Sequence, residues 1–238
     1  MRGDTGFPVR IAFTKQGKVR FISHRDVARA FERAFRIEAL PLAFTQGFSP
    51  RPKVSFGLAL SVGHESDAEY LDLELTHPIP LAPLGPALTR ALPEGIDVVG
   101  VVALADRAPA LQESVAACEW EMELVGVDPD ELDVRIAACL AADQLPVERV
   151  RKGRTTTDDI RPAIRRITRL GLTESGILIG AELATRPTSL RPAEFLALLG
   201  DEQHVGRVRR TRQWIERDGG RQDPLVADTR NACEARAS

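Results

Sequence analysis

The sequence is poor in cysteine, and its three cysteines, Cys118, Cys139 and Cys233, lie far apart. No CxxC pair is present, which excludes a disulfide framework and a zinc ribbon. No loop holds the three thiolates that an iron–sulfur cluster with CxxxCxxC spacing requires. We therefore expect no metal and no other cofactor, and we interpret Cys139 as a buried helix position.

Long apolar runs are also absent. No stretch approaches the roughly eighteen uncharged apolar residues that a membrane helix needs. The first residues, Met1-Arg2-Gly3-Asp4, lead into no apolar signal core. The sequence therefore predicts a cytoplasmic protein that does not bind a membrane. Its 238 residues, 43% of them hydrophobic, allow one large globular domain or two smaller ones.

Charge is distributed unevenly along the chain, although the net charge is only −2. Residues 1–60 carry 11 basic and 4 acidic side chains, a net charge of +7. Residues 61–148 carry 3 and 18, a net charge of −15, and residues 149–217 carry 15 and 8, a net charge of +7. Two interpretations remain open: the basic blocks bind a polyanion, or blocks of opposite charge neutralise each other on folding.

A two-faced helix is predicted from His24 to about Glu38. Ser23 and Asp26 have the spacing of a capping box, which marks a helix start. One face carries apolar residues at helical spacing: Val27, Ala30, Phe31, Ala34 and Phe35. The opposite face carries four arginines within an arc of about 80°: Arg25, Arg29, Arg33 and Arg36.

The order of predicted elements indicates an α+β fold. Alternating or apolar runs predict strands at residues 9–14, 19–22, 42–45, 53–56, 70–75 and 96–104, with a second, short helix at 84–92. The order recurs after residue 110, where we predict strands at 118–125, 147–151, 165–170, 177–183 and 205–211 and helices at 129–142 and 191–199. We therefore predict two ferredoxin-like (βαββαβ-type) halves packed together, at residues 1–108 and 109–217, and a disordered tail at 218–238.

The loop from Gly47 to Lys53 is one candidate binding element. Its glycine, two prolines and two cations are arranged so that Phe48 can stack on a base while Arg51 and Lys53 contact phosphates. The alternative is a turn in which Phe48 folds back onto the core.

Two other basic elements have equally plain alternatives. The arginine face of the first helix can follow a polyanion backbone, or it can pair with the acids Asp67, Glu69, Asp72 and Glu74. In residues 151–162, Lys152 and Arg154 flank a glycine as in a phosphate-contacting loop, while Asp159 and Arg161 can instead form an internal ion pair.

Two stretches of the sequence resemble the signature of a known family. The sequence from Val19 to Val27 (VRFISHRDV) and the sequence from Leu40 to Gly57 (LPLAFTQGFSPRPKVSFG) are similar to the signature of the radical SAM-linked domain family. Members of that family occur alone or follow a radical SAM domain in one polypeptide. The resemblance implies a stand-alone form, and it implies a radical SAM enzyme on a separate chain as the partner.

These features favour a non-catalytic accessory protein that binds a substrate, with RNA as the expected ligand, and presents it to the radical SAM enzyme. Two other hypotheses stay open. One is a metal-free, ribonuclease-like enzyme with His24 as base, although His24 is better explained as a structural histidine. The other is a protein–protein adaptor that binds no nucleic acid. No Ser–His–Asp or Cys–His order marks an enzyme.

Overall fold

The computed structural model describes residues 6–105, 108–151, 153–200, 205–217, 219–226 and 229. The chain divides into two compact units. Unit 1 comprises Met1–Val115 and Trp214–Ser238, and unit 2 comprises Ala116–Gln213. None of the described helices is both long and apolar enough to cross a bilayer.

Unit 1 contains a four-stranded antiparallel sheet with two helices. Its elements, in chain order, are β1 (Phe7–Lys15), α1 (His24–Ile37), β2 (Val54–Phe56), β3 (Glu65–Leu75), α2 (Leu84–Ala91) and β4 (Val98–Ala103). The strands are arranged in the order β4-β1-β3, and β2 pairs with β3 on the side opposite β1. A βαββαβ chain with this strand order is ferredoxin-like, as the sequence predicts.

Strand alternation divides the side chains of unit 1 between two faces of its sheet. On one face, odd-numbered residues of β1 and β3, such as Ile11 and Leu71, join Phe31 and Phe35 of α1 in the main core. Leu88 of α2 packs into the same core. Both helices therefore lie on this face.

A short helix and a C-terminal segment cover part of the second face. Ala12 and Tyr70 are buried there with Leu111 of α3 (Leu111–Ser114), and Leu225 packs against them. Gly100 permits this approach, because a Cβ atom at that position would lie 2.5 Å from Leu225 Cδ1. The sequence predicts a disordered tail from residue 218, but residues 219–226 contain a turn and strand β11 (Gly220–Gln222), which pairs with β10 (Val205–Arg217). Residues 227–228 and 230–238 lie outside the described residues.

Unit 2 repeats the same topology with one insertion. Its elements are β5 (Val115–Val125), α4 (Pro129–Ala141), β6 (Pro146–Arg151), β7 (Arg154–Asp159), β8 (Ile164–Leu172), β9 (Gly176–Ala184), α5 (Pro192–Leu198) and β10 (Val205–Arg217). The main strands are arranged in the order β10-β5-β9-β8, which is again the ferredoxin-like order. β6 and β7 form a separate two-stranded hairpin inserted between α4 and β8.

Two predicted strands differ from the structure. Residues 19–22, expected to be extended, lie mostly in a 3-10 helix at Gly17–Phe21. Residues 42–45 form isolated bridges rather than a strand. Residues 154–159, for which the sequence left a phosphate-contacting loop and an internal ion pair open, form strand β7. Three consecutive threonines there have the β-branched side chains that favour strands, and this signal could have identified β7 in advance.

Candidate nucleic-acid interface

The start of α1 determines which residues of the helix face outward. The hydroxyl oxygen of Ser23 accepts a hydrogen bond from the backbone N–H of Asp26 at 3.2 Å, and the Asp26 carboxylate accepts one from the backbone N–H of Ser23 at 3.3 Å. The Ser23 hydroxyl also donates to that carboxylate at 2.6 Å, which holds the pKa of Asp26 below its ordinary value. This is the predicted capping box.

The four arginines of α1 lie on its exposed side, opposite the buried Phe31 and Phe35. The Arg29 guanidinium lies 3.5 Å from the exposed Asp26 carboxylate. Within the described part of the chain, the other three form no ion pair: Arg25, Arg33 and Arg36. We call the exposed surface formed by Arg25, Arg29, Arg33 and Arg36 the arginine face.

The acids that could have neutralised the arginine face are engaged elsewhere. The Asp67 carboxylate accepts a hydrogen bond from Gln16 Nε2 at 2.6 Å. Asp72 binds the buried Arg10 guanidinium through both oxygens, at 2.7 and 2.8 Å. Glu69 is buried beside Lys15. The arginine face is therefore not explained by the local pairing that the sequence left open.

The loop from Gly47 to Lys53, which we call the Phe48 loop, projects Phe48 into solvent. An isolated bridge pairs Phe44 with Pro52, and Thr45 N–H donates to the Arg51 carbonyl at 2.9 Å, so the two sides of the loop are held together. Phe48 at the tip is fully exposed, with a relative accessibility of 110%. The alternative in which its ring folds back onto the core is therefore excluded, and Arg51 is exposed beside the tip.

The structure describes two of the three remaining predicted binding residues, Lys53 and Arg154. Lys53 Nζ donates to Glu74 Oε1 at 2.8 Å, so its charge is already paired. Arg154 is exposed at the start of β7, in unit 2. Lys152 lies outside the described residues.

Among the described residues, Asp159 and Arg161 do not form the side-chain ion pair that the sequence left open. Asp159 Oδ1 accepts hydrogen bonds from the backbone N–H groups of Leu145 and Arg161, at 2.8 and 3.0 Å, and these bonds lower the pKa of Asp159. The Arg161 guanidinium donates to three carbonyls near the end of α4 and the start of β8. Both side chains therefore fix the base of the β6–β7 hairpin through backbone groups.

Ferredoxin-like domains of one well-known class bind single-stranded RNA on the open face of the sheet, where aromatic rings stack on bases. The second face of unit 1 is not open at the equivalent strands. Arg10 there is fully buried and donates to the Pro224 carbonyl at 2.9 Å. Tyr70, also buried, donates to the Asp223 carboxylate at 3.3 Å. The C-terminal segment thus occupies this face.

The corresponding face of unit 2 carries carboxylates. Outward positions of β5 are occupied by Glu119, Glu121 and Glu123. Glu121 Oε2 accepts a hydrogen bond from Arg209 at 2.5 Å, and hydroxyls of Ser175 and Thr173 donate to Glu123 and lower its pKa. Arg166 Nη2 also lies 3.4 Å from Glu119 Oε1. These carboxylates therefore compete with a phosphate backbone for the guanidiniums of this face. The arginine face and the Phe48 loop are therefore the features of unit 1 best suited to a nucleic acid.

His24 lines a small cavity with Lys15, Glu69 and Phe56. The His24 ring packs edge-on against the Phe56 ring, with centroids 5.2 Å apart. Lys15 Nζ donates to the carbonyls of Arg20 and Ile22, and burial lowers the pKa of this amine. The cavity measures about 10 Å³, which is room for about one water molecule. This arrangement fits structural roles for His24 and Lys15 better than a substrate site.

Comparison with known proteins places the chain in a family. A family model described as "Uncharacterized protein conserved in bacteria (DUF2344)" matches residues 9–192, more than half of the sequence. The chain belongs to this family. Among curated proteins, none matches this DUF2344 sequence.

Solved structures show distant similarity to this DUF2344 chain. An H/ACA RNP bound to a substrate RNA containing 2'-deoxyuridine aligns with a TM-score of 0.42 and 15% identity, covering 89% of this chain and 53% of that one. A Cbf5-Nop10-Gar1 complex aligns with a TM-score of 0.46 and 16% identity, covering 88% and 50%. The acetolactate synthase small subunit from Thermotoga maritima aligns with a TM-score of 0.25 and 13% identity, covering 86% and 92%. The chain spans about half the length of the first two, and similarities this low carry no argument about function.

Proposed function

We propose that this chain is a non-catalytic accessory protein that binds RNA through unit 1 and works with a separate radical SAM enzyme. The observation that carries the RNA part is the arginine face, three of whose four guanidiniums form no ion pair with the described residues. Desolvating a charge that has no protein partner is favourable only when an external anion replaces the water.

The shape of the Phe48 loop favours a single-stranded ligand. A solvated aromatic ring on a protruding tip can stack on an unpaired base, whereas bases in a duplex already stack on one another. Arg51 lies close enough along the chain to contact the phosphate of a nucleotide stacked on Phe48. Arginine suits this role because its planar guanidinium forms paired hydrogen bonds to phosphate oxygens.

The enzyme partner is proposed from the sequence resemblance. The stretches at residues 19–27 and 40–57 that resemble the radical SAM-linked domain form the α1 capping box and the Phe48 loop. The second stretch includes the loop that we assign to the ligand, whereas the first ends at Val27 and includes only Arg25 of the arginine face.

The arginine face can be tested by a charge-matched comparison. Arg33→Ala with Arg36→Ala should weaken binding of a mixed-sequence single-stranded RNA, because two phosphate contacts are lost. The slope of log K against log salt should fall by about 1.4 units for two such contacts. The control, Lys18→Ala with Arg90→Ala, also removes two exposed cations of unit 1 and should keep the wild-type slope. Filter binding across a salt series measures both variants.

The Phe48 loop has a separate signature. Phe48→Ala should weaken the same RNA by about 1–3 kcal/mol per stacked base and leave the salt slope nearly unchanged, because stacking releases no counterions. Phe48→Tyr retains an aromatic ring and should bind like the wild type. If neither Phe48→Ala nor the double arginine variant alters RNA binding, the RNA proposal is wrong and the protein adaptor hypothesis takes its place.

A further inference from the structure

The β6–β7 hairpin of unit 2 has a free edge. The register pairs Arg151 with Arg154 across a two-residue turn, then Val150 with Thr155, Arg149 with Thr156 and Glu148 with Thr157. In a two-residue hairpin the closing pair exchanges hydrogen bonds, and hydrogen-bonded and non-hydrogen-bonded pairs alternate from there. Val150 and Glu148 are therefore in non-hydrogen-bonded pairs, and their N–H and C=O groups point away from β7.

The residues that carry these outward groups line a groove. Within the described residues, β7 is the only strand that pairs with β6. The groove has a volume of about 370 Å³ and is lined by Glu148, Arg149 and Val150 on one side and by Ser189, Arg191 and Glu194 on the other. Cavities of this size hold small ligands or a few residues of an extended peptide.

Arg149 holds the two walls of the groove together. Its side chain is 8% exposed, and its Nη2 donates to the Ser189 carbonyl at 2.8 Å. Its Nε lies 2.9 Å from Glu194 Oε1, and its Nη1 lies 3.3 Å from Asp158 Oδ2. The edge of β6 is therefore presented in a fixed position relative to the start of α5, which reduces the ordering cost of binding.

The charges of the groove indicate what it binds. Glu148 and Arg191 are exposed and form no ion pair within the described part of the chain. Glu148 and Glu194 disfavour a nucleic-acid backbone, and the Arg149 charge is already paired. A ligand with one basic and one acidic group complements Glu148 and Arg191, and the exposed Val150 side chain, at 74%, offers an apolar cross-strand contact.

We infer that the free edge of β6 accepts an extended segment of a partner protein as an added strand. The segment contributes backbone hydrogen bonds to Glu148 and Val150, a β-branched side chain beside Val150, a basic residue near Glu148 and an acidic residue near Arg191. This surface is independent of the RNA-binding surface that we propose on unit 1.

The test uses random seven-residue peptides displayed on phage and selected on the immobilised full chain, with the selected peptides then synthesised. We expect selected sequences rich in valine, isoleucine and threonine that carry both charge signs. Val150→Pro removes one outward N–H without removing a β6–β7 hydrogen bond, so it should weaken these peptides at least tenfold. Thr155→Pro removes the matching N–H from the opposite edge of the hairpin and should leave affinity within about twofold.

Two further arms keep the outcome decisive. In an added strand, every second peptide N–H points toward β6. N-methylation of those amides should abolish binding, whereas N-methylation of the intervening amides should leave binding unchanged. Arg191→Glu should select against acidic peptides while the thermal midpoint stays at the wild-type value. Failure to select any peptide, or equal peptide affinity for wild type and Val150→Pro, overturns the inference. Loss of single-stranded RNA binding in Val150→Pro also overturns it, because the groove would then belong to a nucleic-acid surface, whereas the Phe48→Ala result is unaffected by either outcome.

Discussion

Phe31 is the residue on which the packing of unit 1 is centred. Its ring is fully buried and contacts three other aromatic rings, Phe13, Phe35 and Phe56, with centroid distances of 4.7 to 5.9 Å. Such edge-on clusters stabilise a core beyond their buried area. The i, i+4 spacing of Phe31 and Phe35 predicts this burial from the sequence alone.

Phe31→Ala should lower the free energy of unfolding by about 3–5 kcal/mol, since a large cavity would remain among the rings. Urea unfolding followed by circular dichroism measures the change. Phe48→Ala removes the same side chain from an exposed position and should leave stability within about 0.5 kcal/mol. A Phe31→Ala midpoint close to that of Phe48→Ala would show that the ring cluster is not the core.

Arg149 is a buried charge whose role is positional. Arg149→Ala removes a hydrogen bond to the Ser189 carbonyl and the cation between Glu194 and Asp158. We expect the free energy of unfolding to fall by about 1–3 kcal/mol, because hydrogen bonds of a charged group are lost. The fall is limited to this range because the two acids are partly exposed, so water can solvate them. Amide hydrogen exchange of β6 and β7 should accelerate. Arg154→Ala, at an exposed position of β7, serves as the control and should leave that exchange unchanged.

Among the elements, α1 agrees best with its prediction from the sequence, because local residues determine its start, its apolar face and its polar face. The structure ends it at Ile37, one residue before the predicted end. The hairpin strand β7 was missed because its residues are polar and exposed on both faces. Periodicity indicates strands only where one face is buried, so a strand such as β7, with exposed residues on both faces, gives no such pattern.

The capping box of α1 makes a pH-dependent prediction. Ser23→Ala should destabilise the protein by about 0.5–2 kcal/mol at neutral pH. The folded pKa of Asp26 lies below its ordinary value of 3.8, mainly because Ser23 donates to it, so this stabilisation is complete above pH 3.8 and is lost as pH falls through the folded pKa. The difference between wild type and variant should therefore shrink in acid.

Urea unfolding at pH 7, 5 and 3 measures this difference. Ser55→Ala, an exposed strand serine without a capping role, is the control and should show no pH-dependent difference. A Ser23→Ala effect that is equal at all three values would mean that Asp26 does not participate in the cap.

At the scale of the whole molecule, the α+β class and both ferredoxin-like strand orders were predictable, because each half repeats the same order of helix and strand patterns. The return of the chain to unit 1 after residue 213 was not. Residues 219–226 are polar and glycine-rich. They are held in place by hydrogen bonds from Arg10 and Tyr70, more than 140 residues earlier in the sequence. Local patterns do not report contacts of such separation. The arginine face was visible in the sequence, but the finding that three of its four arginines form no ion pair with a described residue required the positions of the surrounding acids.

The single tyrosine of the chain reports directly on this long-range contact. Burial and the neighbouring Asp223 carboxylate raise the pKa of Tyr70 far above its ordinary value of 10.0. The sign follows from linkage: the contribution of Tyr70 to stability is complete below pH 10 and is lost as pH rises toward the folded pKa. The native chain should therefore form no phenolate as pH passes 10, whereas the urea-unfolded chain should titrate near 10.0. Near-ultraviolet absorbance measures the phenolate without interference from another tyrosine.

Two variants test whether the Asp223 carboxylate contributes to this shift. Asp223→Asn removes the carboxylate and should start the titration of Tyr70 at a lower pH, while Asp97→Asn, which changes an exposed acid of the same unit, should not. Phenolate formation near pH 10 in native buffer would mean that the C-terminal segment does not cover Tyr70 in solution.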